Sequence, residues 1–596
     1  MSPALYSILT CTLIFLAPAL AFRPQLLSNP WTTICIPFCS ICLLAITIMP
    51  IVETGLLGHD AVRTCLYGLG LAGLIRTVLY LRYQSSCTAR EWTADSIIAL
   101  CLALGFAIFI AGRLSLFGFE NDDEIYSWNK WAIDFYLDRE ITFQFTKWAY
   151  PLLFPRLLNL GYILNGSLEA QTAVKTALAI FPLCAMGAVA LGCASQTKIR
   201  AALTAFLLIL IIFVVRAKSS FEDGMPDTMA AAAVVISALI LFERDRFKVS
   251  SLGLYLLVAI LGSVGVLTKQ PALVWGLFTL PLLFAFPSLM GANRSKEMYL
   301  LLIPAVVAII WWLTEGAGFH LNEGPVKRSM EDRDLLQQAL NSVKLLFTDY
   351  AEVSVLLAWM LFAVFRNGRA VILTIGFILP SLAFWLMFAN YDLRAGMPAV
   401  LVAGLIISLN DFGLGEKESQ SLSASRQQIY KVPVMICSLL IIGASLQVAR
   451  DVQKTTRRYE GYRYGDVAIN NYFRIFGADA PLVRQHIRDN KEAVLWTPTN
   501  YVYGLFYGYS EVHFPSYSPG WDEESLISEL RDTRANYATT SGRLEYGPGG
   551  EILEKVLAGP CKSAFEKLNK SENSYNISVF SINRQVLDSS ICDHSR

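Results

Sequence analysis

Apolar runs long enough to cross a bilayer recur through the first three quarters of the chain, and they constrain the fold more than any other feature. They lie near 4–22, 33–52, 64–81, 95–113, 172–194, 199–215, 227–242, 251–267, 272–290, 298–314, 353–366, 371–389, 396–410 and 432–449. A helix needs about 20 such residues to span the hydrocarbon, fewer where the bilayer thins. The expectation is a polytopic α-helical membrane protein of about 14 transmembrane helices. Composition agrees: 54% of the 596 residues are hydrophobic, 16% are charged and the mean hydropathy is +0.46, against about 25% charged in a soluble domain. That excludes a water-soluble globule and a disordered chain. With 49 Lys and Arg against 48 Asp and Glu, no basic footprint points to nucleic acid. The first run ends in Ala17-Pro18-Ala19-Leu20-Ala21, similar to a signal-peptidase site, but it has no basic segment before it and reads as a span.

Lys and Arg in the short connections set the orientation. Arg82 and Arg90, Lys198 and Arg200, Arg244, Arg246 and Lys248, Arg294 and Lys296, Arg366 and Arg369, and Lys417, Arg426 and Lys431 all fall in alternate loops, which are therefore cytoplasmic. The opposite face takes the long segments 114–171 and 315–352 and the tail from 451. Three parts follow: residues 1–94 with the first membrane helices, a membrane region 95–450 carrying the outer loop 114–171, and a soluble extracytoplasmic α/β domain over 451–596. In that tail, strands are expected at Ala493–Thr497, Tyr501–Tyr507 and Tyr575–Ile582, and helices at Glu523–Arg531 and Glu551–Leu557. The localisation expected is a bacterial inner membrane with the tail in the periplasm.

Ten of the 12 cysteines sit in or beside apolar runs and act as small hydrophobes. Cys561 and Cys592 lie in the polar tail and make the one plausible disulfide if that tail faces an oxidising compartment.

Four polar clusters fall on the outer face. Glu120-Asn121-Asp122-Asp123-Glu124 crowds four carboxylates into five residues, and Tyr126, Trp128 and Trp131 place them at headgroup depth. Such acids can be a solvated helix cap; a carboxylate held partly out of water there also suits a general base. Asp227, after Pro226, opens the seventh apolar run. Lys269 lies in a short outer turn, Thr268-Lys269-Gln270-Pro271, where it snorkels or meets an anion. Arg394, in Asn390-Tyr391-Asp392-Leu393-Arg394, can grip a phosphate or pair with Asp392. Together they place carboxylates beside cations at the depth of a lipid phosphate. Histidines 59, 320, 486, 513 and 594 form no zinc motif, and there is no Walker loop.

This order of motifs resembles the GT-C fold of membrane glycosyltransferases, especially bacterial relatives of protein O-mannosyltransferases and aminoarabinose transferases. The likeness rests on Asp123-Glu124-Ile125-Tyr126-Ser127-Trp128, Tyr150-Pro151-Leu152-Leu153-Phe154-Pro155, Pro226-Asp227, Thr268-Lys269-Gln270-Pro271 and Arg394, over about residues 95–596. The acidic loop follows the first span in the family, whereas three extra spans precede it here, and Ala395 follows Arg394 where the family has Tyr. The resemblance implies a sugar donor on a polyprenyl phosphate and a protein, lipid or glycan acceptor. Asp123 would be the general base, with Asp122 and Glu124 as catalytic neighbours, and the anomeric carbon would be inverted. Lys269 and Arg394 would stabilise the departing phosphate, Tyr150 would line the substrate site, and Glu124 and Asp227 would orient the acceptor or share Mg²⁺ or Mn²⁺. The alternative is a flippase or transporter of a lipid-linked glycan. Transporters place ionisable groups near the midplane, whereas here they cluster at helix ends.

Overall fold

A computed structural model describes residues 20–21, 27–83, 92–116, 119, 124–138, 151–194, 226–247, 249–290, 295–314, 335–348, 351–364, 368–388, 396–409, 443, 446–447, 450, 477–490, 492–498, 511–513, 515, 521–540, 549–570 and 576–592. The chain is mostly helical, with one small sheet near its C-terminus. It divides into two compact units. The first holds residues 1–114, 142–166 and 174–455; the second holds 115–141, 167–173 and 456–596.

Among the described residues, four helices are long and apolar enough to cross a membrane: Pro30–Glu53, His59–Arg82, Gln171–Gly192 and Ser251–Thr268. Shorter apolar helices cover Ser96–Gly112, Asp227–Phe242, Gln270–Ala285, Ala370–Trp385 and Met397–Leu409. This is far fewer than the fourteen full spans expected. Runs 199–215 and most of 4–22 and 432–449 lie outside the described residues. Elsewhere the helices change their winding. In the run 272–290 a π turn at Val274–Thr279 leads into a short α segment at Leu280–Ala285. The run 371–389 contains a π turn at Thr374–Ile378, and 298–314 begins as a 3₁₀ segment at Lys296–Leu302. Pro281, Pro380 and Pro304 stand at these changes; proline lacks an N–H and clashes with the carbonyl four residues back. For Pro380 that carbonyl belongs to Gly376, and it accepts from Thr279 Oγ1 at 2.8 Å instead. The two π turns are thereby tied together, with Trp275 and Phe377 edge-to-face at 5.3 Å.

The helices used below are α1 (Pro30–Glu53), α2 (His59–Tyr83), α3 (Ala94–Leu116), α4 (Asn129–Tyr136), α5 (Leu153–Asn165), α6 (Ile180–Ala194), α7 (Asp227–Phe242), α8 (Ser251–Thr268) and α9 (Met397–Leu409). Helix α7 is apolar all round after its first turn, which marks a helix surrounded by others. It is buried from Asp227 to Leu241 and packs against α6, α8 and α9. Four successive alanines, Ala230–Ala233, keep its surface flat enough for that. Helix α2 is the opposite case: Leu71, Leu74, Ile75, Val78 and Leu79 all face outward, the pattern of a peripheral span against lipid. The buried pair Gly161 and Val174 shows why α5 carries a glycine: a Cβ there would meet both Val174 methyls at 3.0 Å.

In the second unit the tail forms a five-stranded mixed sheet in the order β2-β1-β3-β5-β4, with β1 Val494–Trp496, β2 Glu511–His513, β3 Tyr537–Thr539, β4 Phe565–Lys567 and β5 Val579–Ile582. β1 runs parallel to both β2 and β3, while β5 is antiparallel to β3 and β4. Helices α10 (Ala480–Asp489), α11 (Glu523–Asp532) and α12 (Gly549–Ala558) complete it. Trp496, Leu526, Leu530, Leu553 and Val556 share one core with Cys561 and Cys592. Those cysteines are disulfide-bonded, with Cα atoms 4.9 Å apart. The strand expected at Tyr501–Tyr507 lies outside the described residues.

Candidate functional site

Asp227 and Lys269 come together because α7 and α8 form a helical hairpin. A 3₁₀ turn at Arg244–Arg246 reverses the chain, and Ser250 caps α8 by accepting from the Gly253 N–H. The start of α7 therefore lies beside the end of α8. Pro226 occupies the cap position of α7 and Asp227 its first turn, where the positive end of the helix dipole favours an acid. Helix α8 stops at Thr268, and Lys269 is extended, with its N–H bonded to the Gly265 carbonyl. Lys269 Nζ then donates to Asp227 Oδ2 at 3.3 Å, the side chains being 18% and 3% exposed.

A carboxylate and an ammonium this far out of water hold each other in place. Removing one partner of a buried pair leaves an uncompensated charge, at a cost of about 3–5 kcal/mol. Lys269 is neutralised by Asp227. An ammonium carries three donors and can bridge a carboxylate and a phosphate. Asp227 Oδ2 faces that ammonium. Among the described residues no three His, Cys, Asp or Glu side chains gather into a metal-holding group.

Of the acidic segment, Glu124 is described: it begins a π turn, Glu124–Trp128, that runs into α4, and it is wholly buried. Asp122, Asp123, Tyr150 and Arg394 lie outside the described residues. Helix α4 buries polar groups that a surface helix would leave in water. Lys130 Nζ donates to Asp134 Oδ2 at 2.6 Å, each side chain 4% exposed, and Trp128 and Trp131 meet edge-to-face at 5.1 Å. The i,i+4 spacing of Lys130 and Asp134 was visible in the sequence, and Asp134 was nonetheless missed. Glu124, Lys130 and Asp134 belong to the second unit, Asp227 and Lys269 to the first.

A second ion pair in the first unit had no sequence signal. Glu53, ending α1, receives a bidentate grip from Arg156 in α5: Nε to Oε1 at 2.8 Å and Nη2 to Oε2 at 3.0 Å. The residues are 103 positions apart, so only the packing of α1 against α5 reveals them. Of the described histidines, His486 packs edge-to-face on Tyr537, and His513 meets Glu511 at 3.1 Å. Asn569 is buried with both amide groups used, towards the Ile577 carbonyl and the Val579 N–H. No protein-family model and no curated protein sequence matches the chain, so the chemistry of this site rests on its own residues.

Proposed function

We propose that the chain is a GT-C-like membrane glycosyltransferase that moves a sugar from a polyprenyl phosphate to an acceptor hydroxyl on the outer face of the membrane. The observation that carries this reading is the Asp227–Lys269 pair, held out of water at the adjoining ends of two apolar helices. The ammonium of Lys269, oriented by Asp227, has further donors that a lipid phosphate at headgroup depth can share. The charges sit at helix ends, which favours surface chemistry over passage through the bilayer. The Cys561–Cys592 disulfide supports an oxidising surrounding for the tail, hence a periplasmic orientation.

In this mechanism Asp123 takes the proton of the acceptor hydroxyl as its oxygen attacks the anomeric carbon from the side opposite the phosphate. The new C–O bond forms while the bond to the phosphate oxygen breaks, and that oxygen leaves with the electron pair. Lys269, steered by Asp227, and Arg394 stabilise the polyprenyl phosphate anion. Glu124, with Asp122 beside it, orients the acceptor, and Tyr150 lines the donor site. The test is sugar transfer from a panel of polyprenyl-phosphate donors by purified protein, wild type beside Asp123→Asn, with and without chelator. Removal of a general base costs about 10²- to 10⁴-fold. Equal product from both proteins would remove Asp123 from the mechanism. Donor-dependent thermal stabilisation with no product from any donor would favour a flippase.

A further inference from the structure

The tail domain contains an aromatic arrangement that sugar transfer does not use. Trp496 is the last residue of β1 and is wholly buried; Trp521 immediately precedes Asp522, the cap of α11, and is partly exposed. Their rings lie within 9° of parallel with centroids 6.3 Å apart. Both indole N–H groups donate to one carboxylate: Trp496 Nε1 to Glu529 Oε1 at 3.0 Å and Trp521 Nε1 to Glu529 Oε2 at 3.2 Å. The two rings run parallel, and Glu529 fixes the edge of both. Trp521 is thus a flat aromatic surface whose orientation is set before anything binds, and prior ordering lowers the entropy cost of binding.

The strand order places this surface where α/β sheets receive ligands. The chain leaves β1 towards β2 on one side and leaves β3 towards β4 and β5 on the other. Neighbouring β1 and β3 therefore mark a switch point, beyond whose carboxyl ends ligands of such sheets sit. Trp496 stands at the carboxyl end of β1. Helix α11 must return the chain from the carboxyl end of β2 to the start of β3, all three strands being parallel. Its first turn, and Trp521 with it, therefore lie at the same edge. Thr497 and Thr539, which follow β1 and end β3, share a hydroxyl contact of 2.6 Å there.

We propose that Trp521, held parallel to Trp496 and fixed by Glu529, is a carbohydrate-binding subsite that stacks one pyranose ring of an oligosaccharide. The C–H face of a pyranose is apolar and weakly positive and matches the negative face of the indole, while the ring hydroxyls stay in water. On the glycosyl-transfer reading, this glycan is the acceptor; binding itself rests on the platform alone. The experiment uses the full chain in nanodiscs free of sugar detergents. Saturation-transfer NMR is recorded with maltoheptaose, cellohexaose and chitohexaose on wild type, Trp521→Ala and Trp521→Phe. At least one oligosaccharide should bind saturably to wild type, at least tenfold more weakly to Trp521→Ala, and within about threefold of wild type to Trp521→Phe, whose ring keeps the stack. Thermal unfolding of Trp521→Phe beside wild type guards against a folding defect. Binding of none of the three, or equal binding by Trp521→Ala, overturns the proposal. Donor consumption in the same samples separates the two readings. Normal turnover without glycan binding sinks this subsite alone, and glycan binding without turnover on any donor sinks the transferase alone.

Discussion

Replacing Cys561 and Cys592 together by alanine should loosen the tail domain by an amount that follows from the loop they close. The bridge spans 31 residues. The chain-entropy relation for a closed loop gives an entropy of about −12 cal/mol/K, or about 3.7 kcal/mol near 25 °C. That is a large part of the roughly 5–15 kcal/mol that holds a domain folded. At about tenfold per 1.4 kcal/mol, it raises the unfolded population of the domain several-hundredfold. Both sulfurs lie in the core with Trp496, Leu530 and Val556, so alanine is the suitable replacement, because serine would bury a hydroxyl. The assay is limited proteolysis of the full-length protein under conditions where cleavage reports the open population, beside alkylation of thiols in cells before lysis. The account expects no alkylation of these two cysteines in wild type and much faster cleavage of the tail in the double variant. Free thiols in wild type, or equal cleavage of both proteins, would refute the oxidised, extracytoplasmic tail.

Lys269→Met should destabilise the protein by about 3–5 kcal/mol by stranding the buried carboxylate of Asp227. Adding Asp227→Asn should recover most of that, and a double-mutant cycle of thermal midpoints in which the two changes are simply additive would contradict the pairing. Thr279→Val should cost about 1–3 kcal/mol by orphaning the Gly376 carbonyl, and Thr279→Ser should be close to wild type in the same unfolding assay. The Ser525 N–H and hydroxyl both donate to Asp522 and hold its carboxyl below the usual carboxylate range. The folded-state value is therefore the lower one, and the stabilisation is complete above the unfolded value, about 3.9, and lost as pH falls through the folded one. Asp522→Asn cannot titrate, so wild type should lose its advantage over this variant below about pH 4, and parallel pH profiles of tail unfolding would contradict it.

Hydropathy located the apolar runs because burial in lipid is written into composition. It could not show that the helices at 272–290 and 371–389 contain π turns, because a π turn leaves apolarity unchanged; the prolines at 281 and 380 are the readable signal. In the tail, α11 and α12 were legible from their helical apolar spacing, and β1 and β5 from short apolar runs. β2, β3 and β4 have three residues each, too few for any alternation to stand out. Asp227 and Lys269 were each visible singly as charges beside apolar helices. Their meeting across 42 positions comes from the α7–α8 hairpin, whose short turn is itself readable. Glu53 and Arg156 had no such cue, since the contact between α1 and α5 is set by packing alone. Cys561 and Cys592 could be paired because the polar tail holds no other cysteine.

The central claim is sugar transfer with inversion, and it is tested most directly by the anomeric configuration of the product formed from a polyprenyl-phosphate sugar of known configuration. The account predicts a product of the opposite configuration with one polyprenyl phosphate released per sugar transferred, and a rate lower by about 10²- to 10⁴-fold in Asp123→Asn. A product that keeps the donor's configuration, or one formed equally fast by Asp123→Asn, would contradict it.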